Sequence, residues 1–313
     1  MYTKNKKKEV EFQINNNLKF YFFMRGLLTL KDLKTEKIIE LIEYAIKLKN
    51  GYKVTYPNKK VVTLFYENST RTHYSFQCAL MNLGINVIQC NTSSSSVQKG
   101  ESLYDTVRTF EYLGVDGIVI RSSQDEYFKE LENINIPIFN GGDGSSNHPT
   151  QSLLDLMTIY EEYGKFEGLK CCIVGDIVHS RVAHTNIEIM QRLGMEVYIS
   201  GPEEFNDNSG KFIPFDQAVK EMDVIMLLRV QFERHQEQMS LSIEEYHKQY
   251  GLTQERVNQM KNNAIIMHPA PVNRGVEIAD EVVECEKSRI FKQMTNGVYI
   301  RMAVISEAME GQL

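Results

Sequence analysis

The chain has 313 residues, of which 42% are hydrophobic and 24% charged, a balance typical of globular proteins. That length is too great for one ordinary core and suits two domains of about 150 residues each. The net charge of −6 makes the surface as a whole unattractive to nucleic acid or an acidic membrane, so an anion site must be a local cluster of basic residues.

The N-terminal segment is basic at first and then carries an apolar run at 18–30 that Lys19 and Arg25 interrupt. No small-residue cleavage site follows, which argues against a signal peptide. No run of about 18 uncharged apolar residues is present, which argues against a membrane span. We expect residues 1–23 to be an upstream extension outside the core and Met24 to be close to the functional start.

Short apolar runs alternate with helical patterns of about 10 to 15 residues, as in βαβ units with parallel sheets. The predicted strands are 61–66, 86–90, 117–121, 136–139, 171–175, 195–200, 223–228 and 264–267. The predicted helices are 102–114, 152–164, 180–194 and about 296–309. The expected fold is α/β, with two doubly wound parallel-sheet domains at 24–150 and 151–294. The segment at about 295–313 is expected to pack back on the first domain.

Polar clusters follow nearly every predicted strand, and open parallel sheets bind ligands beyond the carboxyl ends of their strands. In chain order the clusters are STRT (69–72), the serine-rich 91–102, Arg121, GGDGSSNHPTQ (141–151), GDIVHSR (175–181), Arg229 and HPAPVNRG (268–275). They fall on one edge of each sheet, so we expect the two domains to face each other across one basic cleft.

The first cluster comprises Ser69, Thr70, Arg71 and Thr72, directly before a helical pattern. It could be a simple helix cap, because Ser and Thr are preferred there. It could also bind a phosphate through free helix N–H groups and the guanidinium of Arg71. The segment 91–102 could be a flexible linker or a mobile loop that closes Lys99 on a ligand.

The later clusters each have a structural and a functional interpretation. His148 and Gln151 lie at a helix start and could donate to a carbonyl or phosphate oxygen. Arg181 and Arg229 could be surface residues, but Arg229 ends an apolar run, where a charge is costly unless it meets a partner. The two arginines could bind two carboxylates. HPAP (268–271) predicts a rigid turn whose carbonyls can accept from a ligand.

Together these motifs resemble the aspartate and ornithine carbamoyltransferase family over roughly residues 24–310. The resemblance rests on STRT, SVQKGES (96–102), Arg121, HPTQ (148–151), GDxxxSR (175–181), LLRVQ (227–231) and HPAPVNRG. It implies attack of an amine on carbamoyl phosphate with release of phosphate, an early step of pyrimidine biosynthesis when the amine is aspartate. No covalent enzyme intermediate, metal or other cofactor is implied.

The resemblance also implies a role for each matched position. The phosphate would be held by Ser69, Thr70, Arg71 and Thr72. The carbonyl oxygen would accept from Thr72, Arg121 and His148. The carbamoyl amide would contact Gln151 and the backbone carbonyls near Ala270 and Pro271. The acceptor would be bound by Lys99, Arg181, Arg229 and Gln231. Ser95 and Lys99 would reach a neighbouring subunit's site, which implies a homotrimer with shared sites and leaves open a further regulatory or pathway partner.

Aspartate is the favoured acceptor, because its second carboxylate calls for another cation and Arg229 and Lys99 supply candidates. Ornithine would instead need an acidic partner, and ornithine enzymes typically carry Cys-Leu-Pro where this chain has 268–271. The alternatives are transfer to ornithine or another amine, and a non-catalytic protein that binds a phosphate metabolite. Two departures from the family pattern are His73, where Arg or Lys is usual, and Ser122 with Ser123, where His-Pro is frequent.

The cysteines and histidines carry no sign of a metal site. The five cysteines are scattered, without a CxxC pair or a His/Cys spacing typical of zinc, and the seven histidines form no HExxH motif. An odd number of scattered cysteines favours reduced thiols in a cytoplasmic protein. We therefore expect a cytoplasmic protein with no metal.

Overall fold

The computed structural model describes residues 25–91, 100–230 and 241–313. The predictions for the N-terminal extension, for Ser95 and Lys99, and for Gln231 therefore lie outside the described residues. Within the described ranges the chain forms two β-sheets of parallel strands, each with helices on its faces.

The first sheet has five parallel strands in the order β1-β5-β4-β2-β3. They are β1 (Gly26–Leu27), β2 (Lys60–Phe65), β3 (Asn86–Cys90), β4 (Gly117–Ser122) and β5 (Ile138–Asp143). The interior strand β2 pairs Val62 with Ile118 of β4 and with Ile88 of β3. Val62 and Ile118 are fully buried, as expected for a parallel sheet covered on both faces.

In the described part of this half, four helices accompany the sheet: α1 (Thr35–Lys49), α2 (Thr70–Asn82), α3 (Leu103–Tyr112) and α4 (Pro149–Tyr163), with a short 3₁₀ helix at Tyr127–Leu131. The spacing of apolar residues explains why α1 packs as it does. Its buried residues Ile38, Leu41, Ile42 and Ala45 recur at intervals of three and four, which places them on one face. That face lies in the core.

The second sheet also has five parallel strands, in the order β10-β9-β6-β7-β8. They are β6 (Lys170–Val174), β7 (Glu196–Ser200), β8 (Lys211–Phe212), β9 (Val224–Leu227) and β10 (Ile265–Met267). The helices of this half are α5 (Arg181–Arg192), α6 (Phe215–Glu221), α7 (Ile243–Tyr250) and α8 (Gln254–Val257). Short 3₁₀ helices occur at Glu203–Phe205 and Asp280–Val282.

The long helix α9 (Ile290–Met309) crosses back to the first half and packs on α1, α2 and α4. Its apolar positions, such as Ile300 and Val304, are fully buried in a core cluster that includes residues of both sheets. At its start Lys292 pairs with Glu162 at 2.7 Å, which ties α9 to α4. Within the described ranges, no helix is long and apolar enough to cross a membrane.

The predicted two-domain parallel α/β fold is confirmed, and every predicted strand occurs in nearly the predicted place. Each sheet has five strands rather than four, because β1 and β8 were missed. The strands β1 and β8 have only two residues each, too few to produce an alternating pattern. The strand predicted at 136–139 forms at 138–143, and α9 begins at Ile290 rather than near 296.

Candidate active site

A cavity of about 480 Å³ opens where the carboxyl ends of the two sheets face each other. It receives side chains that follow β2, β4 and β5 in the first half and β6, β9 and β10 in the second. The cavity collects eleven of the predicted site residues: Ser69, Thr70, Arg71, Thr72, Arg121, His148, Gln151, Arg181, Arg229, Ala270 and Pro271. The expectation that strand-end clusters meet in one basic cleft is therefore met for the residues that the structure describes.

Ser69 occupies the N-cap position of α2, with an extended backbone at φ −153°. Its hydroxyl makes no capping bond to the helix, whereas Ser102 and Ser180 cap α3 and α5 through their side chains. The side chain of Ser69 therefore does not act as the simple helix cap that the sequence allowed. The first turn of α2 instead presents backbone N–H groups and the positive end of the helix dipole to the cleft.

Arg71, the second residue of α2, faces the cleft beside Arg229. Burial, together with the nearby guanidinium of Arg229, lowers the pKa of Arg71 below its ordinary value. The guanidinium of Arg229, from the other domain, thus lies close enough to disfavour the charge of Arg71. An anion bound between them relieves that repulsion.

Glu67 bridges the two other arginines that the sequence singled out. Its Oε2 accepts from Arg121 Nε at 3.2 Å and from Arg181 Nη2 at 3.3 Å, which joins β4 of the first domain to α5 of the second. Arg121 also donates to the carbonyl of Gly141 at 3.1 Å, and Arg181 donates to that of Gly144 at 2.6 Å. Burial and the charge of Arg181 lower the pKa of Arg121 to about 10, against the opposing effect of Glu67.

His148 is the N-cap residue of α4, and Pro149 occupies the first turn, as the sequence predicted. The imidazole is buried, and the pKa of His148 is held well below its ordinary value, first by burial and then by the charges of Arg121, Arg181 and Arg301. The ring is therefore neutral near pH 7. A neutral imidazole can donate one hydrogen bond to an oxygen, and its Nδ1 has no hydrogen-bond partner among the residues that the structure describes.

The turn at 268–271 is held by a buried pair. The backbone N–H of Ala270 donates to His268 Nδ1 at 2.8 Å, so Nδ1 is an acceptor and Nε2 carries the proton toward Glu277 Oε1 at 3.2 Å. Glu277 Oε1 also accepts from the backbone of Asn273 at 2.5 Å. The rigid turn expected from the two prolines therefore has a second cause, and it places Ala270 and Pro271 at the cleft wall.

Sequence reasoning missed several groups that line or support the cleft: Glu67, Ser75, Asp155, Asp176, His179, Gln293 and Arg301. Arg301 was the one with a readable signal, since it interrupts the apolar run of α9. It is buried, donates to Ser75 Oγ at 3.0 Å and to Thr150 Oγ1 at 3.2 Å, and stacks over Phe76. Burial and the charge of Arg121 lower the pKa of Arg301 to about 9.

His73, the departure beside Thr72, forms no ion pair with any residue of the described ranges, whereas an arginine or lysine in its place would be expected to form one. Its ring stacks on Phe65 with centroids 4.4 Å apart, and its Nε2 is 2.9 Å from the Gln77 amide nitrogen. Burial lowers the pKa of His73, which favours the neutral ring. The helix therefore uses a neutral stacked contact at this position.

Two family models cover most of the chain. The carbamoyl-phosphate-binding domain of aspartate/ornithine carbamoyltransferases matches residues 25–161, and the aspartate/ornithine-binding domain matches residues 167–307. The chain belongs to the aspartate/ornithine carbamoyltransferase family. The boundary between the two matches falls at the end of α4, between the two sheets.

Similar proteins belong to the aspartate branch of this family. The chain is 53% identical to the aspartate carbamoyltransferase catalytic subunit of Fusobacterium nucleatum over 92% of this chain and 97% of that protein. It is 51% identical to the corresponding subunit of Streptococcus sanguinis, with the same coverage. Aspartate transcarbamoylase of Trypanosoma cruzi in complex with carbamoyl phosphate is 26% identical and superposes with a TM-score of 0.83 over 91% of this chain and 96% of that one.

Proposed function

We propose that this chain transfers the carbamoyl group of carbamoyl phosphate to the α-amino group of L-aspartate, giving N-carbamoyl-L-aspartate and phosphate. One observation carries the proposal: a single cleft between the domains is lined by Arg71, Arg121, Arg181, Arg229 and Arg301. Such a cleft suits substrates with a phosphate and two carboxylates. The T. cruzi enzyme has been solved with carbamoyl phosphate and aspartate together, and it shares this fold with a TM-score of 0.81.

The phosphate group binds at the N-terminus of α2. Ser69, Thr70 and Thr72 offer hydroxyls, the first turn offers N–H groups, and Arg71 offers a bidentate guanidinium. Arg71 also meets the bridging oxygen that leaves with the phosphate. The absence of a capping bond from Ser69 supports this placement, because the hydroxyl and the helix N–H groups are available to a ligand.

The carbonyl oxygen of the carbamoyl group accepts from Thr72, Arg121 and His148. This oxygen gains negative charge when the amine attacks, and donors fixed in advance stabilise that charge without reorganising. Each such donor contributes about 10²- to 10³-fold in rate. The neutral state of His148 suits hydrogen-bond donation rather than proton transfer.

The carbamoyl NH₂ group contacts the opposite wall. Gln151 approaches from α4, and the carbonyls of Ala270 and Pro271 approach from the turn after β10. The NH₂ group needs acceptors, and backbone carbonyls supply them. The Gln151 side chain adds a further acceptor if its oxygen faces the cleft.

Aspartate binds on the side of the second domain. Arg181 and Arg229 each receive one carboxylate, and two arginines from different elements fit a substrate with two carboxylates. Gln231 adds a contact from the same chain, and Ser95 and Lys99 come from a neighbouring subunit. We propose that the assembly is a homotrimer with shared sites.

The reaction is a direct displacement through a tetrahedral intermediate. The α-amino nitrogen attacks the carbonyl carbon, a C–N bond forms, and the carbonyl oxygen becomes an oxyanion. The C–O bond to phosphate then breaks, the electron pair leaves with phosphate, and the proton lost by the amine ends on the phosphate. Holding both substrates in one cleft removes most of the entropic cost of their meeting.

One assay tests the activity. Purified protein is given carbamoyl phosphate with L-aspartate or with L-ornithine, and the carbamoylated product is measured. We expect product with aspartate only, and Arg71→Ala should reduce it by at least about 10²-fold. Product with ornithine alone would contradict the proposal, and none with either amine would indicate a protein that only binds phosphate metabolites.

The shared site has a separate test. Lys99→Ala and Arg71→Ala chains are each inactive in a homotrimer, but mixed trimers contain some sites with both residues intact. We expect partial recovery of activity after mixing, with verification of mixed trimers by mass spectrometry. Verified mixed trimers without recovery would contradict the shared site. We place the enzyme in the cytoplasm, consistent with the reduced thiols predicted from its unpaired cysteines.

A further inference from the structure

The carboxylate of Asp155 lies directly beneath the cleft floor. It is fully buried on α4, four residues after Gln151. Its Oδ1 accepts from Gln151 Nε2 at 2.9 Å and from Gln293 Nε2 at 2.8 Å, and its Oδ2 accepts from Asn186 Nδ2 at 2.8 Å. Both glutamines line the cleft, whereas Asp155 itself does not.

An ionised carboxylate can only accept hydrogen bonds, so Asp155 determines which end of each amide faces it. Gln151 and Gln293 must both present their NH₂ groups to Asp155. The carbonyl oxygen of each side chain is then directed elsewhere. For Gln293 the consequence is visible, because its Oε1 accepts from the backbone N–H of His268 at 2.9 Å.

For Gln151 the same constraint leaves the carbonyl oxygen on the side of the amide away from Asp155, where the side chain lines the cleft. An oxygen there is an acceptor for an N–H group of the ligand. The Gln293 side chain supports the same wall of the cleft, because its bond to the His268 backbone anchors the turn that carries Ala270 and Pro271.

We propose that Asp155 is a positioning residue that makes the cleft select an acyl phosphate bearing NH₂ over one bearing a methyl group. It acts through Gln151, whose oxygen it holds toward the carbamoyl NH₂, and through Gln293, which anchors the turn that carries Ala270 and Pro271. The proposal rests on the proposed function, since it assumes that Gln151 meets the carbamoyl group. It adds a residue that touches no substrate and still determines which acyl group is accepted.

Acetyl phosphate is the informative probe, because it has the shape of carbamoyl phosphate with a methyl group in place of NH₂. Asp155→Asn keeps the shape of the side chain but offers an NH₂ group to its neighbours, which allows the Gln151 amide to turn over. The cleft would then present a donor to the carbamoyl NH₂. We expect the preference for carbamoyl over acetyl phosphate to fall by about 10-fold or more.

The measurement is the dissociation constant of carbamoyl phosphate, acetyl phosphate and inorganic phosphate by titration calorimetry. Inorganic phosphate should bind the variant within about twofold of the parent, because its site at α2 is untouched. Asp223→Asn is the matched control: Asp223 accepts from the backbone of Lys170 at 2.9 Å and from Lys261 at 2.8 Å, away from the cleft. An unchanged preference, or parallel weakening of all three ligands, would overturn the proposal.

A double-mutant cycle with Gln151→Met tests whether Asp155 acts through Gln151. Once the Gln151 amide is removed, Asp155→Asn should cost little further preference, and fully additive losses would overturn the proposal. A parent protein that binds carbamoyl phosphate weakly and turns over neither amine would instead contradict the proposed function.

If the Asn variant does not fold, the parent provides the test through pH. Burial raises the pKa of Asp155 to about 6, and among the described residues the charged or titratable groups that face it are Arg301 from α9 and Cys171 from β6. Protonation turns the carboxyl group into a donor and frees the Gln151 amide. The preference for carbamoyl over acetyl phosphate should fall as pH drops from 8 to 5, whereas a constant preference would overturn the proposal.

Discussion

Glu67→Gln is the change that most directly tests how the two domains cooperate at the cleft. Glu67 accepts from Arg121 of the first domain and Arg181 of the second through a single oxygen. Glutamine preserves the size of the side chain but removes the charge. Both guanidinium groups can still donate to the amide oxygen, but the negative charge that held the two cations together is gone.

The size of the effect follows from the geometry. At 3.2 and 3.3 Å each contact has a Coulomb attraction of ~5 kcal/mol at an effective dielectric constant near 20. The three side chains are 12% to 23% exposed, so solvent screening leaves about 1–2 kcal/mol per contact. Loss of that restraint should misplace Arg121 and Arg181, lowering kcat by about 10- to 100-fold and raising KM for aspartate.

The assay is steady-state formation of carbamoyl aspartate at saturating carbamoyl phosphate, with aspartate varied. Glu188→Gln is the control, because Glu188 pairs with Arg192 at 3.5 Å on the exposed surface of α5. It should leave kcat within about twofold, as expected of a surface pair. A Glu67→Gln enzyme with unchanged kcat and KM would refute the bridging role, as would an equal loss in the Glu188 variant.

Three further predictions concern buried groups of the site. His148→Ala should lower kcat by about 10²- to 10³-fold, and His148→Gln should lower it by less. The kcat of the parent protein should show no inflection near pH 6.5, because the pKa of His148 lies well below that value. An inflection in the parent that both variants lose would contradict this. Arg301→Lys should lower the free energy of unfolding in urea by about 2 kcal/mol, because lysine cannot reach Ser75 and Thr150 together; an unchanged midpoint would count against it. The raised pKa of Asp155 means that the folded state binds the proton more tightly than the unfolded state. The free energy of unfolding of the parent should therefore rise by about 2–3 kcal/mol relative to Asp155→Asn as pH falls from 6 to 4. An equal pH dependence of both proteins would refute it.

The sequence identified, in short motifs, several residues that the structure brings to the cleft. The cluster at Ser69 to Thr72 and the pair His148 and Gln151 could be read directly, because each follows a strand and begins a helix. The parallel sheets then bring those positions to one edge without further information. Ser69 is the N-cap residue of α2 but its hydroxyl makes no capping bond, and local propensity could not show this because it does not reveal which partner a hydroxyl takes.

The supporting groups could not be read in the same way. Asp155 and Gln293 are 138 positions apart, and Glu67 and Arg181 are 114 apart, so nothing in local spacing connects them. Arg301 alone gave a signal, as a charge inside an apolar helix, and its partner Ser75 lies 226 positions away.

The sequence by itself determined the fold class, the strand-end clusters and the family resemblance, because each depends on periodicity or on residues a few positions apart. Only the tertiary structure decided which groups hold the site in shape: the carboxylate of Glu67 between two arginines, the neutral state of His148, and the orientation of the Gln151 amide by Asp155. Charge state and amide orientation depend on burial and on neighbours in space, and packing supplies both.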